Sequence, residues 1–245
     1  MPDDEPGGSV GPVNGRAERV PSVPDAFARL VAAALAETRP DRFSLFLSGG
    51  PTARRCYGRL AQVGGPGSGV AWADVDVYLG DERCVPPDHP DSNHRMISET
   101  LLDVIGPVGS DHPMYRSGTP SSAAADYQAV VGPLPSFDLV HLGLGPDGHT
   151  ASLFPGSAAL DITDPEVLVV ANRDPRSDNP HDRITLTYAA LARARLAVFT
   201  VSGTSKREAF AAIVAGEDLP ASRVVADQVL WLVDDDAVGD TPLPG

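Results

Sequence analysis

The sequence has few basic residues, few aromatic residues and no long apolar run. Its 245 residues include 19 lysines and arginines against 33 aspartates and glutamates, which gives a formal net charge of -14. Nucleic acid and anionic membrane surfaces are therefore not expected as partners, because their phosphates would be repelled. No stretch approaches the roughly 20 apolar residues that a membrane-spanning helix needs. A small anionic ligand would need a local group of cations.

Cysteine is nearly absent, and so are the spacings that mark metal and nucleophile sites. Only two cysteines, Cys56 and Cys84, are present, and the start "MPDDEPGGSV" has no basic and apolar leader pattern. We therefore expect a cytoplasmic protein. The chain contains neither His-Glu-x-x-His nor Cys-x-x-Cys, so no metal is expected. It also lacks Gly-x-Ser-x-Gly, which argues against a serine nucleophile.

Lysine occurs only once, as Lys206, while every other long cation is arginine. A coding bias toward arginine explains the rarity of lysine but not the one exception. Lys206 is therefore a candidate site residue, with an ordinary exposed lysine as the alternative.

The middle of the chain alternates between strand and helix patterns. Short apolar runs such as "FSLFL", "VDVYLG" and "RLAVFTVS" alternate with helical patterns such as "PTARRCYGRLAQ" and "SKREAFAAIVAG". This alternation predicts βαβ units in a three-layer α/β sandwich with a mainly parallel, Rossmann-like sheet. We predict a flexible tail at residues 1–20, a single domain at residues 21–238 and a second tail at residues 239–245.

Four strand patterns end in polar turns that contain glycine. These turns read "SGGPT" (48–52), "GDER" (80–83), "GPDGHT" (145–150) and "SGTSK" (202–206). The carboxyl ends of parallel strands lie on one side of a sheet, where α/β proteins bind ligands. We therefore expect the four turns to share one crevice.

The residues of these turns indicate anion binding and proton transfer. Glycines before a helix bring backbone N–H groups close to an anion, and Lys206 would add charge from across the crevice. His149 is a candidate base for water with Asp147 as its partner. Arg83 is a candidate to clamp an anion or polarise a carbonyl, and either Asp81 or Glu82 could hold the arginine or act on a proton. The alternatives are a capping aspartate with an exposed histidine, and a solvated charged turn. A helix is expected to begin near Thr150.

The order and spacing of these segments resemble the 6-phosphogluconolactonase family, within a wider group that includes glucosamine-6-phosphate deaminase. The similar segments are "LSGGPTARRCYGRLA", "VYLGDERCVPPDHPDSNHRM", "FDLVHLGLGPDGHTASLFPGS", "RITLTYAALARARLAVFTVSGTSK" and "SRVVADQVLWLVDDDA". They extend over most of residues 43–237. The resemblance implies hydrolysis of 6-phosphoglucono-δ-lactone to 6-phosphogluconate without a cofactor, in the oxidative pentose phosphate route.

The resemblance also implies roles for individual residues. His149 corresponds to the general base, with Asp147 and Arg83 beside it. Asp81 completes the predicted catalytic set on the ground of its place in the "GDER" turn. The phosphate group would be held by residues of the first turn and by the later cations, namely Ser48, Gly49, Gly50, Thr52, Lys206 and Arg173. The family commonly has a Lys-Pro-Pro segment where this chain reads "NRDPRSDNPHD". Arg173 or Arg176 would have to replace that lysine, and Arg173 is our prediction.

Two other functions are weighed against the lactonase. A glucosamine-6-phosphate deaminase would carry a Phe-Asn-Glu-Pro segment after Asp-Gly-His, but this chain reads "SLFPG" and lacks that glutamate. A sugar-phosphate sensing domain of a transcription regulator would need a DNA-binding module, for which the acidic tail is too short. The expected partner is a small sugar-phosphate lactone, and a monomer is the expected state.

Overall fold

The computed structural model describes residues 14–37 and 41–243. The strands are β1 (Arg16–Arg19), β2 (Phe43–Leu47), β3 (Val75–Leu79), β4 (Asp81–Arg83), β5 (Ser110–Asp111), β6 (Phe137–Gly143), β7 (Val169–Asn172), β8 (Arg183–Leu186), β9 (Ala194–Val201) and β10 (Gln228–Val233). The helices are α1 (Val23–Ala36), α2 (Pro51–Gly64), α3 (Asn93–Ile97), α4 (Asp103–Ile105), α5 (Pro120–Val131), α6 (Tyr188–Leu191), α7 (Arg207–Val214) and α8 (Asp235–Val238).

Seven strands form one sheet in the order β1-β10-β9-β6-β2-β3-β5, and each neighbouring pair is parallel. Helices flank this sheet, so the predicted α/β fold with a parallel sheet is confirmed. A small antiparallel sheet has the order β4-β8-β7. Strands β9, β6, β2 and β3 are consecutive neighbours, and these are the strands that lead into the four polar turns. Their order places the turns side by side.

The central strands are buried because almost all of their residues are apolar. Every residue of β2 is buried, and the sequence "FSLFL" leaves no polar face for water. A continuous hydrophobic core extends from Val23 to Val238. Within it, Phe199 of β9 stacks on Trp231 of β10, with the ring centroids 3.8 Å apart. This packing gives the turns at the strand ends a rigid base.

The last part of the predicted N-terminal tail, residues 1–20, is a strand. Residues Arg16–Arg19 form β1, which pairs in parallel with β10, and the Nε1–H of Trp231 donates to the carbonyl of Asn14 at 3.1 Å. The sequence "RAER" has no apolar alternation, so it does not indicate a strand. This edge strand is held by its backbone hydrogen bonds to β10 and needs no such pattern. Residues 1–13 lie outside the described part of the chain. At the other end, Leu243 is partly buried against the core, and residues 244–245 are not described.

The helix predictions were right in one place and wrong in another. The pattern "PTARRCYGRLAQ" lies in α2, as predicted. Ser92 accepts the N–H of Arg95 at the start of α3, and a π-helical stretch, Ser98–Leu102, joins α3 to α4. The helix expected near Thr150 does not form. Ala151 has a φ of 47°, and the N–H of Ser152 donates to the Thr185 hydroxyl at 3.1 Å instead of to a helical carbonyl. Tertiary hydrogen bonds therefore override the local pattern.

No helix within residues 14–37 and 41–243 is long and apolar enough to cross a membrane. Cys56 and Cys84 are both free thiols, and burial raises the pKa of each to about 12. Neither cysteine is therefore a thiolate at neutral pH.

Candidate active site

A cleft of about 210 Å³ lies at the carboxyl ends of the central strands. All four predicted turns contribute to its wall, so the expected common crevice is present. The predicted site residues on the wall are Ser48, Gly49, Gly50, Thr52, Asp81, Arg83, His149 and Lys206. Asp147 lies directly behind His149, whereas Arg173 is elsewhere.

The turn after β2 presents backbone N–H groups to the cleft. Gly50 precedes α2 with a φ of 98°, a conformation that glycine adopts without strain, and as the N-cap residue it has no side chain to cap this helix end. Gly49 packs so closely on Asn93 that a Cβ atom there would lie 1.9 Å from the Asn93 Oδ1. The first turn of a 14-residue helix therefore keeps its donors free for an anion.

Lys206 reaches the same cleft from the turn after β9. Its side chain is half-buried, and burial lowers its pKa, while the negative charge of Asp147 acts in the opposite direction. Arg55 of α2 donates to the Ser202 hydroxyl at 3.1 Å, which ties the two turns together. The N-terminus of α2 and the lone lysine thus line one cleft, as the sequence predicted.

His149 and Asp147 form a close pair at the end of β6. The His149 Nδ1 lies 2.5 Å from the Asp147 Oδ1, and Arg176 donates to the other carboxylate oxygen. Burial raises the pKa of Asp147, but the hydrogen bonds from His149 and Arg176 and the charge nearby outweigh burial and hold that pKa well below its usual range. An ionised Asp147 places the ring proton on Nδ1 and leaves the Nε2 of His149 as a proton acceptor.

A glycine makes the close pair possible. A Cβ atom on Gly145 would lie 2.1 Å from the His149 Nδ1 and 2.6 Å from the Asp147 Oδ1. Any side chain at residue 145 would therefore push the histidine and the aspartate out of their present positions. This crowding explains why residue 145, within the segment "GLGPDGH", is a glycine.

Asp81 and Glu82 are both buried but have different partners. Asp81 accepts a hydrogen bond from the Ser152 hydroxyl at 2.6 Å and lines the cleft. Glu82 accepts the backbone N–H groups of Arg83, Asn93 and His94 and therefore holds the start of α3. Burial raises the pKa of Glu82 although these hydrogen bonds oppose the shift. The structure thus gives Asp81 a place in the site and Glu82 a place in the framework.

Two arginines, Arg83 and Arg183, line the cleft on the side of the small sheet. Arg83 Nη1 donates to the carbonyl of Asp91 at 2.6 Å, and Arg183 Nη1 donates to the carbonyl of His181 at 3.2 Å. Burial lowers the pKa of Arg183, and the positive charge of Arg83 adds to that shift. Arg183 was missed by sequence reasoning because it occupies a buried strand position, although it begins the "RITLT" segment of the family resemblance.

Arg173 is the predicted residue that the structure does not bring to the cleft. Its side chain is 67% exposed and lies 3.6 Å from Asp182, at a separate shallow hollow. Of the two arginines considered, Arg176 reaches the site, and it does so through Asp147. Residues 173–181 form an irregular loop, so the sequence could not indicate which arginine turns inward.

Two buried tyrosines clasp the ends of the strands beneath the cleft. The Tyr57 hydroxyl accepts the N–H of Ser48 at 2.7 Å and lies 2.9 Å from the Ser48 carbonyl and 2.8 Å from the Nδ1 of His141. The Tyr127 hydroxyl bonds the N–H and the carbonyl of Leu79 at 2.8 and 3.2 Å. Burial raises the pKa of both tyrosines, so both remain neutral phenols.

Comparisons with known proteins agree with this geometry. Residues 16–231 match the family described as glucosamine-6-phosphate isomerases/6-phosphogluconolactonase. The chain belongs to this family. A 6-phosphogluconolactonase of Synechocystis sp. is 39% identical over 209 residues, which cover 79% of this chain and 82% of that protein. One of Mycobacterium leprae is 35% identical over 219 residues, covering 82% and 86%.

Solved structures of the family have the same fold. The 6-phosphogluconolactonase of Thermotoga maritima superposes with a TM-score of 0.75 at 30% identity, over 89% of this chain and 97% of that one. The enzyme of Trypanosoma brucei gives a TM-score of 0.75 at 25% identity, over 94% and 100%. A monomeric glucosamine-6-phosphate deaminase gives 0.76 at 21% identity, over 91% and 98%, and that likeness shows the fold alone.

Proposed function

We propose that the chain hydrolyses 6-phosphoglucono-δ-lactone to 6-phosphogluconate in the oxidative pentose phosphate pathway. The observation that carries the proposal is the His149–Asp147 pair, which lies on a cleft that also contains the uncapped end of α2 and Lys206. A base and an anion cradle on one small cleft suit a phosphorylated ester. The family relatives named 6-phosphogluconolactonase support the same activity.

His149 acts as the base that activates water. Its Nε2 removes a proton from a water molecule, and the hydroxide attacks the carbonyl carbon of the lactone. Asp147 holds the Nδ1 proton and stabilises the imidazolium that forms. When the tetrahedral intermediate collapses, the bond from the carbonyl carbon to the ring oxygen breaks, and His149 returns its proton to that oxygen.

Arg83 stabilises the negative charge that develops on the carbonyl oxygen, and Arg183 adds to the positive field. Both guanidiniums are held by backbone carbonyls, so they need little reorganisation during the reaction. Asp81, anchored by Ser152, offers a carboxylate to the hydroxyl groups of the sugar.

The phosphate group of the substrate binds at the opposite end of the cleft. The backbone N–H groups of Gly49, Gly50, Thr52 and Ala53, the hydroxyls of Ser48 and Thr52, and the ammonium of Lys206 are its donors. The location in the cytoplasm and the monomeric state stay predictions.

The test is the disappearance of the lactone, corrected for its spontaneous hydrolysis, in chelator-treated protein. We expect catalysed hydrolysis that persists with the chelator, and no release of ammonia from glucosamine 6-phosphate. Hydrolysis no faster than the spontaneous rate would contradict the proposal. Ammonia release would instead support a deaminase, whose fold the chain shares.

A further inference from the structure

Three possible metal ligands meet on two loops that are far apart in sequence and that contact the arginines of the cleft. His181 Nε2 lies 2.8 Å from the Asp91 Oδ2, and His89 Nδ1 lies 3.8 Å from the same oxygen. One ligand atom from each of the three residues lies within 4.8 Å of the others. His89 and Asp91 come from the loop before α3, and His181 from the loop before β8. The sequence hides this group because Asp91 and His181 are separated by 90 positions.

The geometry suits a tetrahedral ion. Zinc bonds to nitrogen and oxygen are about 2.0–2.2 Å long, so neighbouring ligand atoms lie roughly 3.3 Å apart. The observed 2.8 and 3.8 Å separations bracket that value. The His89 Nδ1 accepts the N–H of Asp91 at 3.1 Å, and an ion bound at this nitrogen would displace that hydrogen bond. All three side chains are partly exposed, so an ion can enter from solvent.

The chemical nature of the ligands selects the ion. Two imidazoles with one carboxylate suit Zn²⁺ and similar late first-row dications. Mg²⁺ and Ca²⁺ prefer sets made of oxygen alone and are disfavoured here. Three protein ligands also leave a fourth position for water.

The cluster is directly connected to the cleft. Arg83 donates to the backbone carbonyl of Asp91, and Arg183 donates to the backbone carbonyl of His181. Both arginines that line the cleft are thus hydrogen-bonded to residues that would hold the ion. Each arginine is therefore tied by a hydrogen bond to one of the two loops.

We propose that His89, Asp91 and His181 bind a divalent transition metal of the Zn²⁺ class and that this binding restrains the two arginines of the cleft. The ion replaces the hydrogen bond between His181 and Asp91 with two metal bonds and draws the loops together. It also adds positive charge beside Arg83 and Arg183. The metal-binding part is independent of the proposed function, whereas the effect on catalysis rests on it.

The first experiment measures Zn²⁺ binding by calorimetry, with untagged protein because a polyhistidine tag binds the same ions. We expect one Zn²⁺ per chain in the wild type and at least a tenfold loss of affinity in His181→Ala and in His89→Ala. His94→Ala is the matched control, because His94 Nε2 lies 2.8 Å from the Asp111 Oδ2 in a pair that lacks a second histidine. Unchanged affinity in His181→Ala, or an equal loss in His94→Ala, overturns the site.

The second experiment measures lactone hydrolysis with and without Zn²⁺. We expect Zn²⁺ to raise kcat/KM of the wild type by about fivefold or more, the lower end of typical coupling between sites, because it restrains Arg83 and Arg183 and adds positive charge beside them. His181→Ala should lose this increase. An equal increase in His181→Ala would place the acting ion elsewhere and overturn the coupling. Zn²⁺ binding without any change in kcat/KM would overturn the coupling as well. A protein with no lactonase activity would contradict the proposed function, and the calorimetry alone would then test the metal site.

Discussion

Asp147 determines which nitrogen of His149 faces the cleft. The 2.5 Å contact uses Nδ1, and Arg176 and the depressed pKa keep the carboxylate ionised. Nε2 is thereby the nitrogen that can take a proton from water. Gly145 leaves the space that this arrangement needs.

Replacing His149 with alanine should remove the base and leave the fold intact. Base catalysis typically contributes about 10²-fold or more, so we expect kcat to fall by at least that factor. Steady-state kinetics and the melting temperature of His149→Ala are compared with those of His94→Ala, a histidine outside the cleft. Nearly normal turnover in a folded His149→Ala protein would remove this histidine from the mechanism.

Replacing Lys206 with alanine should weaken the hold on the phosphate group. The phosphate is remote from the reacting carbonyl and is bound similarly in the ground and transition states, so KM should rise much more than kcat falls. The loss should be on the order of 1.5–3 kcal/mol for a charge-assisted contact, or roughly 10- to 150-fold.

The control for Lys206 is Arg173→Ala, which removes a cation that lies outside the cleft and should leave KM unchanged. Both proteins are assayed with the phosphorylated lactone and with plain gluconolactone. An equal fall in kcat/KM for the two substrates would show that Lys206 serves the chemistry or the fold.

Each of the two strands β2 and β3 is clasped at its carboxyl end by a tyrosine from a helix. Tyr57 of α2 holds Ser48, which begins the anion cradle, and Tyr127 of α5 holds Leu79, which precedes Gly80 and Asp81. Since both hydroxyls take a backbone N–H, neither can be removed without leaving a buried donor unpaired. The clasps set the positions of the turns that carry the chemistry.

The matched variants Tyr57→Phe and Tyr127→Phe should separate the two ends of the cleft. Each leaves a buried N–H unpaired at a cost of about 1–3 kcal/mol, so both should lower the melting temperature. Tyr57→Phe should raise KM for the phosphorylated lactone and leave plain gluconolactone almost unaffected. Tyr127→Phe should lower kcat for both substrates. The same kinetic profile in the two variants would mean that the clasps support only the fold.

The sequence predicts those strands and helices whose formation depends on the pattern of their own side chains. The central strands and α2 have continuous apolar runs or a clear amphipathic pattern, and the four turns follow from the strand ends. Strand β1 escaped prediction because its pairing with β10 is made by backbone groups beneath polar side chains. The segment after His149 has a helical pattern, but Ser152 bonds Asp81 and Thr185 instead.

Site residues divide in the same way. His149, Asp147, Arg83 and Lys206 follow strand ends directly, so the parallel sheet places them together. Arg183 lies within a strand where an apolar residue would be expected. The choice between Arg173 and Arg176 depends on the course of an irregular loop. Contacts between distant segments therefore account for what sequence reasoning missed.

The whole molecule carries a net charge of -14, so a phosphorylated substrate is repelled at long range. Its affinity must arise at short range, from cations and N–H groups gathered on one edge of the sheet. The parallel arrangement achieves this gathering because every central strand ends on that edge. The rest of the surface is acidic and repels the phosphates of nucleic acid, so nucleic acid does not compete for the same cations.

The stability of the molecule should depend on pH through His141, which is fully buried in the middle of the sheet. Its ring lies 2.8 Å from the Tyr57 hydroxyl and 2.8 Å from the Thr200 hydroxyl, and burial lowers its pKa to about 3. The unfolded chain takes up this proton near pH 6.5, whereas the folded chain resists it. The folded state is therefore favoured above pH 6.5 and loses stability as the pH falls toward 3.

Between pH 7.5 and pH 5, this one group should remove about 2 kcal/mol from the free energy of unfolding. The measurement is urea unfolding of the wild type and of His141→Gln at both pH values, because all other titrating groups are common to the two proteins. His141→Gln should be less stable at pH 7.5 but should lose about 2 kcal/mol less on acidification. If the free energy of unfolding falls by the same amount in both proteins, His141 takes up its proton in the folded state near pH 6.5. Burial in the sheet would then not disfavour the charged imidazolium.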